Sequence, residues 1–216
     1  MRAIIFANGD VPEPEVVGHW TAQADLIIAA DGGTRNALTA GVMPQVVIGD
    51  FDSLTEADRA QLDRSGVQLI AYPTHKDYTD LELALRYARK QGATEIIIFS
   101  ALGGRWDQSL ANLMLLTLPE LAQVPTRIVD QHLSICVVRD RAEITGRAGD
   151  TLSLVALKGD ASGVTIEGCE YPLNDAPLPF GATLGISNVL TQPIAKITVK
   201  QGLILALHTH SAWREE

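Results

Sequence analysis

The sequence predicts an α/β N-terminal domain with a mostly parallel sheet in Rossmann-like layers, followed by an all-β sandwich domain. Up to about residue 130, short apolar runs alternate with helix-like stretches, which is typical of parallel strands joined by crossover helices. Beyond that point, apolar residues recur at every second position and glycine and proline become frequent, which is typical of antiparallel strands. The 216 residues are enough for two small cores. We therefore expect domains at residues 1–131 and 132–216.

The first domain is expected to alternate strands and helices. Its short runs rich in β-branched residues indicate strands buried on both faces of a sheet. The helix at Asp80–Gln91 is the clearest, because Thr79 and Glu82 can form a capping box at its start. The expected strands are Ala3–Ala7, Leu26–Ala30, Val46–Ile48, Gln68–Ala71, Ile96–Phe99 and Arg127–Val129. The expected helices are Thr34–Ala40, Thr55–Ser65, Asp80–Gln91 and Trp106–Leu118.

In the second domain, alternation of apolar and polar residues indicates strands with one buried face. Leu152 and Leu154 fall on one face of such a strand, and Ile197 and Val199 alternate with polar neighbours. Gln201-Gly202 is expected to turn the chain into a last strand. In that strand, leucines again occupy every second position, at Leu203, Leu205 and Leu207.

Charge and composition exclude several classes of protein. The chain has 17 Lys and Arg against 26 Asp and Glu, a net charge of −9, whereas nucleic-acid binders need clustered cations. No run approaches the ~20 apolar residues of a membrane helix, and Met1–Gly9 resembles a first strand more than a secretory signal. Cys136 and Cys169 are expected to be free, buried thiols. We expect a cytoplasmic protein without nucleic-acid or membrane partners.

The most informative motif is Gly49-Asp50-Phe51-Asp52-Ser53, directly after a buried strand. Parallel strands carry the chain to the edge of the sheet where α/β proteins bind ligands. Asp50 and Asp52 are two residues apart in extended chain and point to the same side. Two neighbouring carboxylates repel each other unless they share a cation, and Mg²⁺ prefers such oxygen ligands. The alternative is that one Asp, or Ser53, caps the helix that starts near Thr55.

A second acidic motif, Lys76-Asp77-Tyr78-Thr79-Asp80, opens the third expected helix. Asp77 or Asp80 can serve there as a helix cap, because the positive end of the helix dipole favours negative charge. Lys76 beside them favours a site for a polyphosphate. The motif alone leaves both interpretations open.

Two glycine pairs follow strands and precede helices. They lie in Asp31-Gly32-Gly33 and in Gly103-Gly104-Arg105-Trp106-Asp107-Gln108. Such turns present backbone N–H groups to an anion, and Arg105 adds a bidentate phosphate donor. Neither matches the dinucleotide-binding or Walker pattern. Since all four motifs follow strands of one sheet, we expect them to converge on one edge.

His208 and His210 flank Thr209 near the C-terminus and are expected to share a strand face. We interpret them as polar residues exposed on the surface, or as part of a frayed tail, rather than as metal ligands.

In order and spacing, these four motifs, together with Asn112 and the segment Gly185-Ile186-Ser187-Asn188, resemble those of the thiamine pyrophosphokinase family. The resemblance covers most of the chain, and the two central acidic motifs are its most specific part. It implies transfer of a pyrophosphoryl group from ATP to the hydroxyl of thiamine, with Mg²⁺ as cofactor. It also implies a homodimer in which thiamine lies between the α/β domain of one subunit and the sandwich of the other.

The resemblance also assigns roles to individual residues. The metal ligands are expected to be Asp50, Asp52 and Asp80. The residues facing ATP are expected to be Lys76, Asp77, Thr79 and Arg105, with Asp31, Gly32, Gly33, Gly103 and Gly104 nearby. Those nearer thiamine are expected to be Asp107, Gln108, Ser187 and Asn188.

Three other functions are weighed against this one. A Mg²⁺-dependent pyrophosphokinase with another alcohol acceptor would share every motif. An aspartyl-phosphate hydrolase would use Asp50 as nucleophile, but the preceding glycine and the β domain fit it poorly. A nucleotide-binding module without catalysis would not need Asp50, Asp52 and Asp80 together.

Overall fold

The structure, a computed structural model, describes residues 1–73 and 77–210. The chain divides into two compact units, Met1–Gln131 and His132–Glu216. The first unit is an α/β structure and the second is rich in strands, which confirms the predicted fold class at this level.

A parallel sheet forms the centre of the first unit. Its strands are β1 (Arg2–Phe6), β2 (Leu26–Ala30), β3 (Val46–Gly49), β4 (Gln68–Ala71), β5 (Glu95–Phe99) and β6 (Thr126–Val129). Their order is β6-β5-β1-β2-β3-β4, and neighbouring strands pair in parallel. The central strands are almost fully buried, as their apolar runs predict. β4 is the exception, because it lies at the sheet edge and is half-exposed.

Helices connect these strands, as expected for parallel pairs. They are α1 (Pro14–Thr21), α2 (Gly33–Thr39), α3 (Glu56–Arg64), α4 (Asp80–Lys90) and α5 (Trp106–Leu115), with a 3₁₀ turn at Pro119–Leu121. The helix α1, which begins at a proline and buries Val17, is not among the helices predicted from the sequence. Among the described residues, no helix has both the length and the apolar character needed to cross a membrane.

Two helix starts differ from the sequence-based expectation. The cap of α3 is Thr55, whose Oγ accepts from the Asp58 N–H at 3.2 Å while the Asp58 carboxylate accepts from the Thr55 N–H at 2.9 Å. Asp50, Asp52 and Ser53 are therefore not needed as caps. At α4, Thr79 Oγ accepts from the Glu82 N–H, but the Glu82 carboxylate accepts from Arg86 instead of completing a capping box.

The second unit contains two antiparallel sheets. Its strands are β7 (Leu133–Val138), β8 (Arg141–Thr145), β9 (Thr151–Ala156), β10 (Ala161–Glu167), β11 (Leu173–Leu178), β12 (Asn188–Val189), β13 (Ile194–Thr198) and β14 (Ile204–Thr209). The strand orders are β12-β9-β14-β7 and β11-β10-β13-β8. One buried cluster draws side chains from both sheets, such as Leu154 of β9 and Ile197 of β13.

The last strand is in a different phase from the one the leucines suggest. Ile204 and Ala206 join the core cluster. Leu205 is buried outside that cluster, and Leu203 and Leu207 are half-buried. The core between the two sheets therefore contains Ile204 and Ala206 rather than the leucines. Neither Cys136 nor Cys169 forms a disulfide, as predicted. Cys169 is buried, and this burial raises the pKa of its thiol. Cys136 is half-buried.

Candidate active site

A cleft of about 580 Å³ lies at the carboxyl edge of the parallel sheet, a usual size for a small-molecule site. Strand register brings its walls together, because Phe6 pairs with Ala29 and with Phe99, and Ala30 pairs with Ile48. The loops that follow β1, β2, β3 and β5 therefore start at the same height. The predicted site residues that line the cleft are Asp31, Gly32, Asp50, Thr79, Asp80, Gly103, Gly104, Arg105 and Gln108.

Other predicted site residues lie elsewhere. Gly33, Asp77 and Asp107 adjoin lining residues in the chain without lining the cleft themselves, and Asp52 lies two residues after Asp50, which lines it. Lys76 lies outside the described residues. Ser187 and Asn188 belong to the second unit.

An acidic cluster is formed by Asp31, Asp50 and Asp52, whose nearest carboxylate oxygens lie within 4.8 Å of one another. Oδ1 of Asp31 is buried without a hydrogen-bond partner, and only 9% of the residue is exposed. An unsatisfied carboxylate oxygen in a buried position is costly unless a cation or donor meets it. The family resemblance implies Asp80 as the third ligand. In the structure Asp31 lies with the pair, and Asp80 lines the same cleft at the start of α4.

Gly49 allows Asp31 to approach the pair. A Cβ at position 49 would lie 2.7 Å from the Cβ of Asp31, which is closer than two carbon atoms can pack. Any side chain at position 49 would therefore push the β2 and β3 loops apart.

Phe51 anchors the loop between the two aspartates. Its side chain packs into a buried cluster with Leu54 and Leu62, and its carbonyl accepts from Arg59 Nη2 at 2.6 Å. Asp50 Oδ1 in turn accepts from the Asp52 N–H at 3.3 Å. The buried ring thus fixes the short segment that carries both carboxylates.

Three non-glycine residues at this edge have left-handed backbone conformations. The φ angles are 42° at Asp31, 63° at Phe51 and 56° at Ser100. Such conformations cost of order 1–3 kcal/mol each and cluster at functional sites. Each residue is in the loop directly after a strand of the parallel sheet, so the strain is concentrated where the cleft is formed.

Electrostatically, the described part of the cleft is dominated by carboxylates. Asp10, Asp31, Asp50 and Asp80 line it, and among the described lining residues Arg105 is the only Lys or Arg. An anionic ligand would be repelled here unless a cation accompanied it. The chemistry of the wall therefore fits a cation, or an anion that enters with one.

Arg105 forms an exposed ion pair with Asp107. Its Nη2 lies 2.5 Å from Asp107 Oδ2, with 73% and 64% of the two side chains exposed. The hydrogen bond from Arg105 holds the pKa of Asp107 below its usual range, and the same contact raises the pKa of Arg105. Exposed pairs of this kind contribute little to stability, so the guanidinium can exchange Asp107 for a ligand at small cost.

The loop after β1 also belongs to the site, although its residues were not predicted as site residues from the sequence. Asn8, Gly9 and Asp10 line the cleft, and Asn36 Nδ2 donates to the carbonyls of Ala7 and Gly9 at 2.8 and 2.9 Å. Asn36 is therefore a positioning residue for this loop. The available signal was a polar segment immediately after the first strand, at the edge where α/β sheets bind ligands.

The glycine pairs have packing functions as well. A Cβ on Gly33 would lie 2.0 Å from the Phe6 carbonyl oxygen, and one on Gly32 would lie 2.4 Å from Cγ of Asn8. Both glycines therefore let α2 approach β1. In the Gly103-Gly104 motif, Ser109 Oγ accepts a hydrogen bond from the Gly103 N–H at 3.1 Å and donates one to the Gly103 carbonyl at 3.2 Å.

In the second unit, Asn188 has a structural task. Its Oδ1 accepts from the Tyr171 N–H at 3.0 Å and from the Val189 N–H at 2.9 Å, and its Nδ2 donates to the Tyr171 carbonyl at 2.7 Å. Asn188 is buried, whereas Tyr171 is 62% exposed. The buried amide thus holds an exposed aromatic residue beside Ser187, which has a φ of 61°.

An α/β sheet with an acidic cleft at its carboxyl edge is typical of enzymes that bind a phosphorylated ligand together with a divalent cation. The comparisons with known proteins are more specific. Residues 17–128 match the family described as thiamin pyrophosphokinase, catalytic domain, and residues 134–204 match thiamin pyrophosphokinase, vitamin B1 binding domain. The chain belongs to the thiamin pyrophosphokinase family.

Individual relatives agree with this assignment. The chain is 31% identical to thiamine pyrophosphokinase of Bacillus subtilis over 198 residues, which cover 91% of this chain and 92% of the relative. A crystal structure of thiamine pyrophosphokinase from Bacillus subtilis has a TM-score of 0.87 at 29% identity, covering 98% of this chain and all of that one. The thiamin pyrophosphokinase structure from Geobacillus thermodenitrificans has a TM-score of 0.83 at 28% identity, covering 98% and 99%.

Proposed function

We propose that this protein transfers a pyrophosphoryl group from ATP to the hydroxyl oxygen of thiamine, giving thiamine diphosphate and AMP. Family membership supports the reaction class. The observation that carries the proposal to this chain is the buried, unpartnered Oδ1 of Asp31 beside Asp50 and Asp52. Such a group of carboxylates fits the divalent cation that accompanies a nucleoside triphosphate.

The proposed cofactor is Mg²⁺, and the donor set fits it because hard oxygen ligands suit this ion. Asp50, Asp52 and Asp80 are the ligands that the resemblance implies, and the geometry adds Asp31 as a candidate. When bound, the ion would supply positive charge that offsets the phosphate oxygens.

The protein groups of the first unit would bind and align the nucleotide. Arg105, released from Asp107, would donate to phosphate oxygens, and Lys76 is proposed to do the same. Asp77, Thr79 and the backbone at Gly103 and Gly104 would complete the phosphate site, with Gly32 and Gly33 nearby. On this proposal, phosphoryl-type transfer needs alignment and charge neutralisation more than covalent help.

The proposed transfer is a single displacement at the β-phosphorus of ATP. The thiamine oxygen forms a bond to the β-phosphorus, and the bond from that phosphorus to the bridging oxygen of AMP breaks. AMP leaves with this oxygen. The hydroxyl proton is proposed to pass to a carboxylate of the site, either Asp77 or a member of the acidic cluster.

The second unit is proposed to be a β-sandwich that binds thiamine. The shared core of its two sheets supports the sandwich, and the family match over residues 134–204 supports the ligand. The unit at 1–131 would then hold ATP and Mg²⁺. Asp107 and Gln108 at the start of α5 are proposed to lie toward thiamine, together with Ser187. Asn188 is proposed to contribute indirectly, because its amide holds the backbone of Tyr171.

Analysis of nucleotide products tests the proposed reaction. ATP, Mg²⁺ and thiamine together are expected to yield AMP and thiamine diphosphate in equal amounts, and omission of any one is expected to stop both. Phosphate or ADP formed without thiamine would favour a hydrolase or another kinase. AMP formed only with a different alcohol would favour another acceptor, and nucleotide binding without turnover would favour a non-catalytic module.

Tyr171→Ala is expected to raise the KM for thiamine roughly 10-fold with little change in the KM for ATP. An aromatic face attracts a cation such as the thiazolium ring by about 1–2 kcal/mol once water is excluded, and Tyr171 is the exposed aromatic that Asn188 holds. Steady-state kinetics at saturating ATP checks this. Tyr171→Phe keeps the ring and is expected to behave as wild type; an unchanged KM in Tyr171→Ala would contradict the role.

A homodimer with thiamine bound between the subunits is also proposed. Each unit exposes apolar side chains that a partner could cover: Trp106, Leu110 and Met114 lie four residues apart on α5, and Phe180 and Leu184 lie in the second unit. Light scattering is expected to give twice the chain mass. Leu110→Asp is expected to shift the mass toward the monomer, and Met43→Asp, away from this stripe, is not. A monomeric wild type that turns over thiamine normally would refute the shared site.

A further inference from the structure

The second unit contains a buried Asp–His pair that the proposed reaction does not use. His208 Nε2 lies 2.8 Å from Asp150 Oδ2, and 4% and 3% of the two side chains are exposed. His210 Nδ1 lies 3.9 Å from the same oxygen, and the centroids of the two imidazole rings are 4.4 Å apart. The expectation that these histidines are surface or tail residues is wrong for His208, because it belongs to the buried face of β14.

Strand pairing brings the three residues together. His208 follows Ile204 and Ala206 on the inward face of β14, and it pairs with Leu152 of β9. Asp150 precedes β9 by one residue. Its Oδ2 accepts from the Arg147 N–H at 2.9 Å, so the turn between β8 and β9 fixes the carboxylate.

The position of His210 is set by the backbone as well. Its N–H donates to the His132 carbonyl at 3.0 Å, which keeps the residue in line with the end of β14. Since His208 and His210 are two residues apart, their rings lie on the same side of the chain. The ring of His210 is 37% exposed and leaves the group accessible from solvent.

We propose that Asp150, His208 and His210 form a binding site for a divalent transition-metal cation of the zinc class. One ligand atom from each residue lies within 4.8 Å of the others, a spacing that allows three ligands to meet one ion. Two imidazole nitrogens and one carboxylate oxygen suit Zn²⁺, Co²⁺ or Fe²⁺, whereas Mg²⁺ and Ca²⁺ take oxygen ligands. The site is therefore distinct in chemistry from the carboxylate cluster of the first unit.

Gly146 packs against both members of the buried pair. A Cβ at this position would lie 2.6 Å from Asp150 Oδ2 and 2.7 Å from His208 Nε2, so the two donor atoms can hold their positions only because residue 146 has no side chain.

Binding would link separate parts of the second unit. The cation replaces the hydrogen bond between His208 and Asp150 with a bond to each residue, and the His208 ring then carries its proton on Nδ1. The Arg147 N–H remains on the carboxylate as the outer contact that orients a metal ligand. The end of β14 is thereby joined to the turn before β9.

Metal titration of the full chain tests this site. Chelator-treated protein is titrated with Zn²⁺ by calorimetry and with Co²⁺ by visible absorption. A large excess of Mg²⁺ is present to fill the cation site proposed at the carboxylate cluster. We expect one ion per chain, with the intense bands of a low-coordinate Co²⁺ site. His210→Ala, at the most exposed ligand, is expected to weaken binding more than about 10-fold.

Two further variants separate the site from nonspecific binding. His19→Ala removes an exposed imidazole of the first unit and is expected to bind as wild type. Gly146→Ala adds no charge and removes no ligand, yet is expected to weaken binding by displacing Asp150 and His208. Failure of the wild type to bind Zn²⁺ in excess Mg²⁺, or equal binding by a folded His210→Ala variant, would overturn the proposal.

Discussion

Asp52→Asn is expected to lower kcat by about 10³-fold while leaving the protein folded. The substitution keeps the size of the side chain and removes one negative charge from the cluster that Asp31, Asp50 and Asp52 form. Because Asp52 is exposed, no core contact is lost. A weaker hold on the cation would misplace the phosphate oxygens and leave their charge unbalanced in the transition state. Rates of AMP and thiamine diphosphate formation, measured across Mg²⁺ concentrations, check this.

The matched control is Asp63→Asn, which removes an equally exposed carboxylate from α3 outside the cleft. We expect it to retain wild-type kinetics. Circular dichroism and the urea midpoint of Asp52→Asn should match those of the wild type. A folded Asp52→Asn protein with near-normal activity at low Mg²⁺ would remove the metal role assigned to this aspartate.

Gly49→Ala is expected to lower activity by about 10²-fold and also to destabilise the fold by about 1–3 kcal/mol. The new methyl group would lie 2.7 Å from the Cβ of Asp31, so the loops after β2 and β3 have to separate. A displacement of about 1 Å is enough to cost this much activity. The free energy of unfolding from urea titration and kcat at saturating substrates measure the two effects.

Gly18→Ala provides the comparison for this variant. Gly18 lies in α1, and a Cβ there would have no heavy atom within 4 Å. Alanine in a helix is favoured over glycine by roughly 0.5–1 kcal/mol, so we expect a small gain in stability and unchanged kinetics. A Gly49→Ala protein with wild-type activity would show that the close approach of Asp31 is not needed.

The local elements of this protein could be predicted well from its sequence. Every predicted strand of the first unit is present, because an apolar run between turn residues indicates a buried strand without knowledge of its neighbours. The start of α4 was also predictable, since the Thr79 cap acts within one turn of the helix. The helix α1 was missed because the only signals at its start are Pro14 and a single acidic residue, Glu15.

The convergence of the four motifs on one edge of the sheet could be predicted from the sequence, but individual side chains could be placed together only where they are neighbours in the chain. Asp50 and Asp52 were found because two residues of extended chain place both carboxylates on one side. Asn36 was not assigned a role, because its partners are the Ala7 and Gly9 carbonyls of another loop. Burial of His208 could not be predicted either. Apolar residues occupy both alternating sets of positions in β14, so the pattern does not show which set faces the core.

The sequence by itself therefore determined the α/β class of the first unit, the β-rich class of the second, and the presence of an acidic motif after β3. Each of these depends on residues within a few positions of one another. Only the tertiary structure decided that Asp31 joins Asp50 and Asp52, and that Asp150 faces His208. These groupings join residues that are 19, 21 and 58 positions apart in the chain. They depend on strand register and on glycines that admit a close approach, neither of which has a local signature in the chain.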